Sequence, residues 1–234
     1  QGFDQQDFEG VARQRGKDGK LRILYSGIFY YNRGPETMLR ALKLLGEQRP
    51  ETRKHVELHI VGNAREADIA LIKQLGLEEQ VVLHGYLPHR EAIQHLVDAD
   101  VLWLLIGRGK GEDMMSTGKL YEYLGARKPI LATIPDCAAK QTLEKCGAVF
   151  FASPEDPESI SGQINTLLGL HKSNTLPGPS YDFVSRFERK ALTGQLATTL
   201  MSLVDTDGAQ LSVHTRRAGD GKPADKSDSS INNS

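Results

Sequence analysis

The stretch Thr117-Gly118-Lys119-Leu120-Tyr121-Glu122-Tyr123 sets a hydroxyl, a glycine, a cation and a carboxylate close together. A helix is expected from Lys119 to Ala126, so Lys119 falls in its first turn. A cation there opposes the helix dipole. An anion between the ammonium and the unfilled N–H groups of that turn resolves the conflict. Glu122 follows at i+3, on the same side. Lys119 is then suited to a diphosphate and Glu122 to the hydroxyls of a ribose. The plainer alternative is a solvated Lys–Glu pair contributing about 0.2–0.5 kcal/mol.

Two other segments have comparable chemistry. In Ser26-Gly27-Ile28-Phe29-Tyr30-Tyr31-Asn32-Arg33-Gly34, Gly27 permits a tight turn and close backbone approach. Arg33 stands just before a helix start, where its guanidinium can grip a phosphate in bidentate fashion. A solvated arginine beside a helix cap is the bland counterpart. In Gly85-Tyr86-Leu87-Pro88 the backbone can meet the edge of a base and Tyr86 can stack on it; an ordinary turn into the next helix is the alternative. Other chemistries find no support. Gly107, Gly109 and Gly111 do not make G-x-G-x-x-G, and there is no P-loop. The His and Cys residues have no zinc spacing, and no G-x-S-x-G elbow occurs.

The elements that must hold these segments alternate regularly. Short β-rich runs begin at Leu21, Val56, Val81, Val101, Pro129 and Val149. Helical patterns begin at Pro35, Glu66, His89, Lys119, Ala138 and Pro157. The strands are continuous apolar runs, which indicates a parallel sheet covered on both faces. The expected fold class is α/β, a Rossmann-like three-layer sandwich with a parallel sheet of about six strands. Ligands in such sheets bind outside the carboxyl ends of the strands near the topological switch point, which selects the three segments above. Residues 1–19 read as a linker, 20–172 as the binding domain and 173–205 as a C-terminal helical region, with one helix expected from Phe183 to Val204. Residues 206–234 are too polar to offset ordering entropy and read as disordered.

The 234 residues are 39% hydrophobic and 25% charged with a net charge of −1, a soluble globular composition that offers no electrostatic draw for nucleic acid. No apolar run is long enough to span a membrane. Residues 1–15 lack a signal-peptide pattern, and the absence of an initiator Met reads as a chain cut from something longer. Cys137 and Cys146 read as free thiols of a reducing, cytoplasmic compartment.

Taken together, the motifs resemble the C-terminal domain of GT-B glycosyltransferases of the retaining family-4 type (group 1), from about Asp4 to Leu203. Gly2-Phe3-Asp4 followed by Phe8 is similar to the linker entering that domain. Val82-Leu83-His84-Gly85-Tyr86-Leu87 with Ala99-Asp100-Val101 resembles the "V-x-F-x-G... A-D-V" block. Residues Thr117 to Leu124, followed by Lys128-Pro129-Ile130-Leu131, resemble the "S/T-G-K-L-x-E-Y-L... P-I-L" block. The resemblance implies one half of a GT-B fold that binds a nucleoside diphosphate sugar. Glu122 matches the ribose-holding glutamate, Arg33 and Gly34 the diphosphate-gripping pair, and Gly27 the glycine of the first loop. Gly85, Tyr86 and Leu87 match the base-contacting segment. Phe183 to Val204 resembles the helix that crosses back to the N-terminal domain.

Two positions depart from the family. The first glutamate of its E-x7-E pattern would stand at 114, where this chain has Met114 with Glu112 and Asp113 out of register. The arginine after the first glycine is Ile28 here. Phosphate binding would then rest on Arg33 and Lys119, the expected catalytic cations, with Thr117 and Gly118 completing the donor site. The implied reaction is sugar transfer with retention from a UDP- or GDP-sugar, without a metal or other cofactor. The acceptor would bind an absent N-terminal domain, so this chain alone is expected to bind nucleotide and transfer nothing. Family habit suggests polysaccharide biosynthesis in the cytoplasm, with peripheral association at the inner membrane face through that absent domain. The rival readings are a degenerate, non-catalytic scaffold domain and half of a nucleotide-sugar epimerase.

Overall fold

The computed structural model describes residues 1–14, 18–29, 34–107 and 118–215. Six strands form one parallel sheet: β1 (Leu21–Ser26), β2 (Val56–Val61), β3 (Val81–Gly85), β4 (Val101–Leu105), β5 (Ile130–Thr133) and β6 (Val149–Ala152). Their order is β3-β2-β1-β4-β5-β6. β1 pairs with β2 from Leu21↔Val56 to Ser26↔Val61. On its other edge it pairs with β4 through Ile23↔Val101 and Leu24↔Leu102. The chain works outward from β1 to β3 and then returns to lay β4 against β1. The β1/β4 junction is therefore the switch point, and the loops after these two strands open at it.

The helices are α1 (Glu36–Gln48), α2 (Glu66–Leu75), α3 (His89–Asp98), α4 (Gly118–Ala126), α5 (Ala138–Leu143), α6 (Pro157–Lys172), α7 (Tyr181–Ser185) and α8 (Arg189–Thr215). Successive strand residues point to opposite faces, and both faces find helices. Leu21, Ile23 and Tyr25 of β1 join Val101 and Trp103 of β4 under α1, α2 and α6. Leu24, Leu102 and Leu104 join the other layer, with Ile93, Leu96, Leu120, Tyr123 and Leu124 of α3 and α4. This double burial is why the strands read as unbroken apolar runs. Local chemistry sets several helix ends. Gly76, at φ +64°, closes α2 with a left-handed cap. Asp156 accepts hydrogen bonds from the N–H groups of Glu158 and Ser159 at the start of α6.

The two ends of the described chain differ from the pattern-based expectation. A single helix from Phe183 to Val204 is not formed. α7 ends at Ser185 and α8 begins at Arg189. Between them the backbone extends to pair with Phe3: the Phe3 N–H donates to the Phe187 carbonyl at 3.0 Å, and the Arg189 N–H to the Phe3 carbonyl at 2.9 Å. The partner that breaks the helix lies at the other end of the sequence, out of sight of any local period. α8 then runs to Thr215, beyond Val204; residues 216–234 lie outside the described residues. The stretch read as a linker docks through its aromatic side chains. Phe3 is buried edge-to-face against Phe8, and both rings press on Gly125, where a Cβ would lie 2.5 Å from Phe8 and 2.8 Å from Phe3.

The chain divides into two units, Gln1–Leu192 with the whole sheet and Thr193–Ser234. Cys137 and Cys146 are both free and buried. Among the described residues no helix is long and apolar enough to cross a membrane.

Candidate functional site

The carboxyl edge of the sheet is built from glycine where three strands finish. Gly27, Gly62 and Gly85 follow or end β1, β2 and β3 at φ +140°, +126° and +70°, values that side chains resist. The Gly27 N–H donates to the Val61 carbonyl at 2.8 Å, and the Gly62 N–H to the Gly85 carbonyl at 2.7 Å. The three strand ends are thus laced together by main chain alone. Beyond Gly85, Tyr86 is 78% exposed while Leu87 tucks against the α3/α4 core layer. The segment named as base-contacting therefore presents an aromatic face beside bare backbone.

At the switch point, α4 begins with Gly118, and Lys119 lies in its first turn. The Lys119 Nζ donates to the Tyr25 Oη at 2.6 Å and lies 4.4 Å from the centre of the Tyr25 ring. The Tyr25 hydroxyl donates to the Ile28 carbonyl at 3.1 Å, and its ring stacks on Phe29 at 4.3 Å. The lysine stem crosses Gly27, where a Cβ would lie 2.1 Å from Lys119 Cε. One residue along β1, the Ser26 N–H donates to the Tyr123 Oη at 2.9 Å. Tyr123 is fully buried. Lys119 and Tyr123 are one turn apart on α4, and they bind consecutive residues of β1. That pair of bonds seats the N-terminus of α4 on the end of β1. Lys119 therefore turns to β1.

Glu122 sits half-buried one turn into α4. Burial pushes its carboxyl above the ordinary range. His89 opposes this, Asp7 adds to it, and Arg189 and Lys119 oppose it more weakly. His89, the first residue of α3, lies 3.4 Å from Asp7. A carboxylate short of solvent is suited to accept hydrogen bonds from neutral hydroxyls.

Gly34 lies on the far side of the first loop, where a Cβ would meet Arg65 Nη2 at 2.2 Å. Arg65 stands at the start of α2 and binds Asp68 through Nε at 2.8 Å and Nη2 at 2.7 Å. Arg33 and Thr117 lie outside the described residues, as do Glu112, Asp113 and Met114. Ile28, at the position where an arginine was expected from the resemblance, is half-exposed. The structure thus gathers Gly27, Gly118 and Lys119 at one point, with Gly85, Tyr86 and Leu87 along the same edge. The sequence assigns no role to Tyr25, one residue of a β-rich run, or to Arg65, and Tyr123 enters only as a letter of the 117–124 block.

A sequence model of the family described as glycosyl transferases, group 1, matches residues 7–175. None of the curated proteins matches the sequence. Similar solved structures include sucrose-phosphate synthase from Thermosynechococcus elongatus, with 18% identity and a TM-score of 0.63, covering 88% of this chain and 52% of that one. HepE from Anabaena, in complex with UDP and glucose, has 20% identity and a TM-score of 0.59, covering 86% of this chain and 55% of that one. An α,α-trehalose 6-phosphate synthase from Burkholderia multivorans has 11% identity and a TM-score of 0.56, covering 87% and 46%. The chain spans about half the length of these proteins.

Proposed function

The chain belongs to the group 1 glycosyl transferases, and from that premise we propose that it is the donor-binding half of a GT-B enzyme that transfers a sugar from a nucleoside diphosphate sugar, with retention. The observation that carries the reading is the seat of Lys119. It is a cation in the first turn of α4, laid over Gly27 at the β1/β4 switch point. In this reading the diphosphate lies between the first loop and α4. Lys119, Arg33 and the N–H groups of the helix start meet the negative charge that grows on the leaving diphosphate. Glu122 accepts from the ribose hydroxyls, and Tyr86 with the Gly85–Leu87 backbone flanks the base. HepE was solved with UDP and glucose, which supports a nucleotide-sugar donor by likeness of fold. The acceptor would bind a partner half that completes the cleft.

Calorimetric titration with UDP, GDP and their sugars tests the proposal. Binding of one of them is expected, and Lys119→Ala should weaken the diphosphates far more than the free nucleosides. No binding of any at millimolar concentration would overturn it. Met114, in the place of the family's first glutamate, favours a second reading as a non-catalytic scaffold. Sugar transfer by the intact parent protein separates the two.

A further inference from the structure

We propose that Tyr25 is a positioning residue of the donor site, holding the Lys119 ammonium where the diphosphate is met; this rests on the reading of the site given above. Four observations support the role. Tyr25 is 2% exposed and packed between Phe29, stacked at 4.3 Å, and Trp103 at 5.2 Å, which restricts the rotamers open to it. Its hydroxyl proton is directed to the Ile28 carbonyl at 3.1 Å, which leaves the oxygen lone pairs for Lys119 Nζ at 2.6 Å. The ammonium also lies 4.4 Å from the ring centre, so hydroxyl and ring act on the same cation. Finally, a Cβ at Gly27 would fall 2.1 Å from Lys119 Cε, so the groove for the lysine stem exists only because residue 27 is glycine.

The chemistry of this contact differs from that of an ion pair. A lysine is a flexible stem with a strongly hydrated point charge, and it loses rotamer freedom when it binds. Fixing it beforehand removes that loss from the binding step. A carboxylate would fix it too, but would cancel the charge. A neutral hydroxyl orients the ammonium without itself cancelling the charge. An ammonium has three donors, so the bond to Tyr25 is compatible with a phosphate oxygen on another.

The test is a double-mutant cycle on the full chain, titrated with UDP, GDP, uridine and guanosine. Tyr25→Phe keeps the ring and its stacking and removes only the hydroxyl. It should weaken the bound diphosphate nucleotide by about tenfold, the scale of one hydrogen bond to a charged group, and leave the nucleoside unchanged. In a Lys119→Met background the same change should have no effect. Wild-type nucleotide affinity in Tyr25→Phe, or an equal loss in both backgrounds, overturns the inference while the site reading stands. Unchanged nucleotide affinity in Lys119→Met overturns the site reading and this inference with it. A measurement on the unaltered chain guards against a variant that fails to fold. Lys119 should undergo reductive methylation more slowly than exposed Lys54, and methylation at the rate of Lys54 overturns the proposal.

Discussion

Gly62 meets Gly27 so closely that a Cβ on Gly62 would lie 2.0 Å from the Gly27 carbonyl oxygen. The contact joins the end of β2 to the loop that carries the Lys119 groove. Gly62 itself is at φ +126°. Gly62→Ala should therefore strain its own backbone and push the first loop outward. A loss of about 2 kcal/mol or more is expected from the two effects together, read from urea unfolding, with weaker nucleotide binding in the fraction that stays folded. Stability and affinity equal to wild type would show that the loop is not constrained in this way.

Tyr123→Phe isolates the other tether. The buried Tyr123 hydroxyl takes the Ser26 N–H at 2.9 Å at the end of β1, and the ring fills space that phenylalanine fills as well. An unsatisfied amide in that position costs about 1–3 kcal/mol. Thermal unfolding should show that loss, with amide exchange at Ser26 accelerated more than at Leu24. Equal acceleration at both would mean that the strand opens as a unit and the tether is unimportant.

Glu122 makes a prediction whose sign changes with pH. Its carboxyl is raised by burial, so its ionised form disfavours the folded state. That cost is present above the folded pKa and relieved as pH falls toward the unfolded value. Glu122→Gln should raise the melting temperature at pH 8, and the gain should shrink as pH approaches 4.5. The same substitution should weaken nucleoside and nucleotide binding several-fold, because the amide is a poorer acceptor for ribose hydroxyls. A melting temperature lowered at pH 8 would contradict the assignment.

Acid should destabilise the sheet from its β2–β3 side. His59 Nδ1 lies 2.9 Å from His84 Nε2, and His59 Nε2 lies 3.1 Å from Glu57. His95 of α3 faces His84 at 4.3 Å, and Arg22 and Asp98 line the same cavity of about 250 Å³. Burial and the neighbouring His95 and His59 hold His84 down at about 4. Burial lowers His59 as well, against the opposing pull of Glu57. Both rings stay neutral in the fold while the unfolded chain protonates, so their stabilisation is present above about pH 6.5 and lost below it, for His84 until about pH 4. Burial raises Glu57, but bonds from Lys20, His59 and Arg22 outweigh it and bring the carboxyl to about 2. Its contribution is present above about 4.5 and fades from there down to about 2. Urea midpoints measured from pH 7.5 to 4.5 should fall, and His84→Asn should flatten the slope. A flat wild-type profile would rule out this coupling.

Much of this was legible in the sequence because it depends on neighbours in the chain. Continuous apolar runs between helical periods were enough for a six-stranded parallel α/β sheet, and Gly27, Gly62 and Gly85 mark the strand ends where the backbone turns to positive φ. The cation in the first turn of α4 is visible as a conflict with the helix dipole. What Lys119 does with its charge was decided only by the tertiary fold. Its partner Tyr25 is 94 residues away and reads in sequence as one more apolar strand residue. The break between α7 and α8 has the same cause, since the main chain of Phe3 reaches Phe187 and Arg189 from the opposite terminus. Local spacing encodes periods and caps. Hydrogen bonds between distant segments are set by strand order, and that order placed β4 and α4 beside β1.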